Sequence, residues 1–199
     1  MSVAVITYDR GMSRWQPDAR GRLEQAALQL YSERGFEQTT VAEIAMRAGL
    51  TERTFFRHFA DKREVLFGGE SAMQEIFTNA IDCAPDPLAP IDAVAVALEA
   101  GGVLIQDRRE LVRQRRAVIA ANAELQAREL LKRASLASAI ADALRRRGVA
   151  DPAASLTAEA GIAVFKVAFE SWMNQTGQRD LPQLIRETLD QLKAVTAGG

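Results

Sequence analysis

The chain has one histidine and one cysteine in 199 residues. A single cysteine, Cys83, excludes an intrachain disulfide and suits a reducing cytoplasm, where the protein is expected to act. No basic residue neighbours it in sequence to lower its pKa, which favours a buried or inert thiol over a redox sensor. With His58 as the sole imidazole, no metal-ligand cluster forms, and neither a phosphate loop nor a nucleophile elbow is present. An enzyme or carrier therefore has little support, and no cofactor is expected. Aromatics make up only 6% of the chain, and no stretch alternates apolar and polar residues for long, so strand signals are weak. No run reaches the roughly 18 apolar residues of a membrane helix. Val3 to Ile6 is not followed by the apolar region and cleavage site of a signal peptide.

What is abundant is Ala, Leu, Glu and Arg, within an ordinary 48% apolar and 26% charged composition. This is an all-α composition. The net charge of −1 hides an uneven layout. Residues 1–67 carry 10 basic and 9 acidic side chains, and residues 68–105 carry none against 6. Residues 106–150 carry 11 against 5, and residues 151–199 carry 4 against 6.

The chain is organised around residues 40–59. Thr40 and Glu43 have the spacing of a capping box at a helix start. Val41, Ile44, Ala45 and Ala48 then share one helix face. Gly49 can end that helix in a left-handed conformation, and Thr51 is a second N-cap. A second short helix follows, with Phe55 and Phe59 on one face. Ala45 is small enough for two helix backbones to cross closely, with Ile44, Ala48, Leu50 and Phe55 filling the angle. Glu52, Arg53, Thr54, Phe56, Arg57 and His58 are left facing outward. The pattern fits a helix-turn-helix that reads DNA, and the same spacing would also suit an ordinary helical hairpin with a solvated face.

From Pro17 to Phe67 the chain resembles the DNA-binding domain of the tetracycline-repressor (TetR) family of bacterial regulators. The match rests on Ala26-Ala27, Leu30, Glu33-Arg34-Gly35-Phe36, Thr39-Thr40-Val41, Glu43-Ile44-Ala45, Ala48-Gly49, Thr54-Phe55-Phe56, His58-Phe59 and Asp61 to Phe67. It covers about a quarter of the chain. Where many relatives carry tyrosines, this chain has Phe56 and Arg57. The expected phosphate contacts are Thr40, Thr54, His58 and Lys62, with Thr51 capping the helix they flank, and Glu52, Arg53, Phe56 and Arg57 are expected near base edges. Lys62 is placed in the first turn of a fourth helix that starts at Asp61. A cation is unfavourable there, and the resemblance implies that a bound phosphate resolves the conflict.

Three parts are expected: a flexible arm over 1–16, a helix-turn-helix domain over 17–67, and a helical effector-binding and dimerisation domain over 68–199. In the arm, Arg10 and Arg14 could reach a minor groove, as basic arms do, or simply fray. Pro17-Asp18 opens the first helix and Gly35 stops it, with Phe36 plugging the core. Gly68-Gly69 reads as a break. Helices are then predicted over 70–83, 91–106, 107–121, 123–147, 156–175 and 181–195, the fifth ended by Gly177. Gly101-Gly102 should kink its helix or allow close approach. The arginines at 108, 109, 113, 115 and 116 read as a solvated face pairing with the acidic 68–105 segment, or as a second nucleic-acid patch. Met73, Phe77, Phe165, Phe169 and Trp172 could line an apolar pocket, or be plain core or dimer packing.

The helix over 156–175 is apolar around most of its surface and so must be buried on more than one side. The resemblance implies that the last two long helices pair with a partner's into a four-helix dimer bundle. It also implies a homodimeric repressor on a palindromic operator in double-stranded DNA, released by a small-molecule effector. A regulator without a natural effector, its pocket filled by side chains, is the alternative.

Overall fold

A computed structural model of the chain describes residues 19–175 and 179–198. The arm over 1–16, with Arg10 and Arg14, the opening at Pro17-Asp18 and the stop at Gly177 lie outside the described residues. Ten helices follow one another among the described residues: α1 (Ala19–Arg34), α2 (Val41–Arg47), α3 (Glu52–His58), α4 (Glu64–Phe67), α5 (Glu70–Asp82), α6 (Pro90–Gln106), α7 (Arg109–Ala120), α8 (Ala123–Arg146), α9 (Ala153–Asn174) and α10 (Leu181–Thr196).

Two hydrophobic cores organise them. The N-terminal core gathers Leu23, Ala27, Leu30, Phe36, Ile44, Phe55, Phe59 and Phe67 from α1 to α4. It also takes Val118 and Ile119 from α7 and Leu125 from α8, which the division at residue 67 did not foresee. The second core joins α5, α6, α8, α9 and α10 around Phe77, Leu98, Ile140, Leu144, Trp172 and Ile185. There α6 runs unbroken through Gly101-Gly102. A Cβ on Gly101 would overlap the Phe77 ring and come within 2.7 Å of Met73 Sδ. The glycine is thus a site of close approach rather than a kink.

The two cores are fastened along one face of α8. Arg63 pairs with Glu124 at 2.7 Å, Glu64 with Arg128, and Glu70 with Lys132 at 3.0 Å. The three α8 residues are four apart, so they stack on one side of the helix. Arg115 from α7 adds Glu129 at 3.2 Å and the Leu66 carbonyl oxygen. The Arg115 and Arg128 guanidinium groups lie 5.2 and 5.6 Å from the Phe67 ring centroid. Asn122 donates to Glu37 at 3.0 Å, tying the α7–α8 turn to the α1–α2 turn.

Several expectations change here. Of the arginines at 108 to 116, only Arg115 reaches the acidic segment, at Glu70. Arg109 instead donates to the Trp172 and Gln175 carbonyl oxygens at the end of α9, Arg113 pairs with Glu110, and Arg108 and Arg116 are exposed without partners among the described residues. Cys83 is exposed, not buried, because α5 ends at it on the surface. The fourth helix starts at Glu64 rather than Asp61, so Lys62 precedes it. Asp61 still caps the turn, accepting from the Arg63 and Glu64 backbone N–H groups at 2.8 and 2.9 Å.

Candidate nucleic-acid interface

Local chemistry sets the angle between α2 and α3. Thr40 and Glu43 form the full capping box: Thr40 Oγ1 accepts from the Glu43 N–H at 3.3 Å, and Glu43 Oε2 accepts from the Thr40 N–H at 2.9 Å. That N–H, the Thr40 hydroxyl and then Arg34 hold the Glu43 carboxyl below the usual carboxylate range. At the other end of α2, Leu50 N–H donates to Ala45 O at 2.8 Å and Gly49 N–H to Met46 O at 3.0 Å. This pairing needs a left-handed residue, and Gly49 has φ +65°. Thr51 Oγ1 then accepts from the Thr54 N–H at 3.2 Å and opens α3. Ala45, Ile44 and Phe55 are buried where the two helices cross. Arg47 grips Glu33 through two bonds at 3.0 and 2.9 Å, holding α2 on α1.

This frame presents one side of α3 to solvent. Glu52, Arg53, Phe56 and Arg57 are exposed, and Thr54 is half-buried. Arg53, Thr54, Phe56 and Arg57 together line a shallow concavity of about 510 Å³. Neither the Arg53 nor the Arg57 side chain has a hydrogen bond or ion pair among the described residues, whereas Arg34, Arg47, Arg63, Arg115, Arg128 and Arg145 to Arg147 are all paired. Two guanidinium groups one turn apart on the exposed side of a helix, without a partner among the described residues, suit guanine edges and phosphates.

Of the four expected phosphate contacts, Lys62 has its ammonium turned inward and His58 is half-buried. Lys62 Nζ donates to the carbonyl oxygens of Phe36, Glu37 and Thr39 at 2.9, 3.2 and 3.0 Å, which occupies all three ammonium donors inside the domain. His58 is half-buried, and its Nε2 is buried without a partner, so that nitrogen does not face outward. Thr40 and Thr51 stay exposed at helix N-termini, where backbone N–H groups favour anions. Arg22, which no sequence pattern marked, lies behind Gly49 at the α2–α3 turn, with its Nε buried and without a partner among the described residues. No local pattern marks it, because its place depends on how α1 crosses the turn.

The five candidate pocket residues come together in the second core. Phe77 and Phe165 meet edge-on at 6.1 Å, Phe165 and Phe169 stack at 6.1 Å, and Phe169 and Trp172 lie 5.8 Å apart. Met73 packs beside Phe77 against Gly101. Phe77 and Trp172 are buried, while Met73, Phe165 and Phe169 keep partial exposure. The rings touch one another, so a ligand among them would have to part them. Among the described residues no group of His, Cys, Asp and Glu could hold a metal ion, and no helix is long and apolar enough to cross a membrane.

Comparison with known proteins agrees with this arrangement at both ends of the chain. Residues 24–67 match the model of bacterial regulatory proteins of the tetR family, and residues 88–197 match that of the MftR C-terminal domain. The transcriptional regulator TcmR of Streptomyces glaucescens is 41% identical over 81 residues, which is 41% of this chain and only 36% of TcmR. MftR of Mycobacterium tuberculosis, a transcriptional regulator ascribed to mycofactocin biosynthesis, is 27% identical over 171 residues, 84% of this chain and 86% of MftR. The solved complex of SmeT with triclosan shares the fold, with a TM-score of 0.61 over 89% of this chain and 90% of SmeT, at 19% identity. SmeT is the repressor of a Stenotrophomonas maltophilia multidrug efflux pump. With a helix-turn-helix at one end and a regulator's C-terminal domain over more than half its length, the chain belongs to the TetR family of bacterial transcriptional regulators.

Proposed function

We propose that the protein is a cytoplasmic homodimeric repressor that binds a palindromic operator through α3 and leaves it when a small apolar molecule enters the second core. The observation that carries the DNA half of this reading is the pair of exposed arginines on α3, Arg53 and Arg57, whose side chains have no partner among the described residues. Glu52, Arg53, Phe56 and Arg57 face base edges, Arg53 taking guanine, while Thr40, Thr51 and Thr54 take phosphates at the N-termini of α2 and α3. Lys62 closes the α1–α2 turn from inside, and His58 is half-buried at the end of α3. A two-fold dimer presents two such helices to major grooves about one helical turn apart. Exposed apolar side chains on the last two helices, Leu156 and Val167 of α9 and Val195 of α10, support dimerisation there.

The effector half rests on the aromatic stack and on SmeT, a protein of this fold in complex with triclosan. A ligand shifts the DNA-bound state only by its differential affinity for the two conformers. A ligand that parts Phe165 from Phe169 has such a difference built in. The same close contact favours a second reading, in which the rings fill the core and no natural effector exists.

The test is selection of genomic DNA fragments by the purified protein, footprinting of the retained fragment, and release by apolar small molecules, with triclosan as the first probe. Protection of two half-sites about one turn apart and release by one compound fit the proposal. Retention without release by any compound favours the second reading. Failure to select any fragment contradicts the DNA half.

A further inference from the structure

Of the two phenylalanines of α3, Phe56 is the one that the core leaves exposed. Its side chain is 55% exposed, while its neighbour Phe55 is fully buried. The two rings meet edge to face, 5.5 Å apart at 82°, and Phe55 packs in turn on Phe59 at 5.5 Å. The exposed ring is therefore braced by the core and held on the reading side of α3, in the same concavity as Arg53, Thr54 and Arg57. Leaving a phenyl group in water forgoes the gain of burying it, so the fold alone gives no reason for its place.

A phenyl ring neither donates nor accepts a hydrogen bond. In the major groove guanine, adenine and cytosine offer polar groups there, which a phenyl ring would strip of water without replacing the lost bonds. Thymine alone among the four bases offers an apolar group there, its C5 methyl. The flanking guanidinium groups, one turn before Phe56 and directly after it, can fix the register on phosphates and guanine.

We propose that Phe56 is a specificity residue that reads the C5 methyl of one thymine in each operator half-site. This rests on α3 being the recognition helix. The test takes the fragment selected by the wild-type protein and replaces its thymines with uracil one symmetric pair at a time, which removes the methyl and leaves the Watson–Crick edge unchanged. Affinities are measured for the wild type and Phe56→Ala. The expected result is one pair of positions at which uracil weakens wild-type binding by roughly fourfold per half-site, the worth of one buried methyl group. At that pair Phe56→Ala binds the thymine and uracil operators equally.

If no thymine is sensitive while the fragment still outcompetes unrelated DNA, the proposal fails and the recognition helix stands. If a sensitive thymine stays equally sensitive in Phe56→Ala, another residue reads it and the assignment fails. If the wild type prefers no fragment, both ideas fail together. The wild-type arm needs no variant and can overturn the proposal by itself.

Discussion

Lys62 and Phe36 are joined twice: the ammonium lies 4.5 Å from the Phe36 ring centroid, and Nζ donates to the Phe36 carbonyl oxygen at 2.9 Å. With Glu37 and Thr39 also accepting from it, Lys62 closes the turn between α1 and α2. Lys62→Met keeps the apolar stem and removes the donors. It should destabilise the N-terminal core by about 1.5–3 kcal/mol, the worth of charge-assisted bonds in that turn. Chemical denaturation followed at α1–α3 measures this. The salt dependence of DNA binding should stay the same. A slope reduced by about one per subunit would instead put Lys62 on a phosphate.

The Glu64–Arg128 pair and the two guanidinium groups around Phe67 make the two cores depend on each other. Arg128→Ala removes one rung and one ring contact, at a cost of roughly 1–2 kcal/mol for a half-exposed pair. Hydrogen exchange should speed up in α1–α4 and stay unchanged in α9. About 1 M salt should move the wild type toward the variant, since screening there reaches within about 3 Å. Equal acceleration in both cores would show that α8 is not the fastening.

Glu70 offers a test by pH. Burial pushes its carboxyl above the usual glutamate range, Glu64 pushes the same way, and Lys132 and Arg115 pull against them. A carboxyl whose folded pKa is raised holds its proton more tightly when folded, so its contribution to stability falls as pH rises through that value. Glu70→Gln should therefore match the wild type in acid and gain on it as pH climbs above the ordinary glutamate value of about 4.3. Thermal melting across that window reads the difference. A variant that loses ground there would mean that the ion pairs outweigh burial.

The local punctuation of the fold was legible in the sequence. The box of Thr40 and Glu43, the stops at Gly35 and Gly49, and the cap Thr51 stand where spacing put them, because each depends on residues within one turn. The exposed face of α3 followed from the same periodicity. What spacing could not give is contact across the chain. Val118, Ile119 and Leu125 look like core residues of their own domain, yet they complete the N-terminal core. Lys62 turns inward because three carbonyl oxygens of a distant turn converge on it. Cys83 is exposed because α5 ends at the surface, a position that no neighbour in sequence reveals.

If α3 reads DNA with its exposed arginines, Arg53→Ala is the variant that must lose selectivity. Arg53 is exposed and has no partner inside the described chain, so the fold should not notice its loss, and melting should be unchanged. Affinity for the selected fragment should fall by about 1–3 kcal/mol per half-site, the worth of a bidentate guanine contact. Affinity for unrelated DNA should fall far less, so the preference between the two collapses. An Arg53→Ala protein that keeps the wild-type preference, with only a uniform weakening on all DNA, would contradict base reading by this residue.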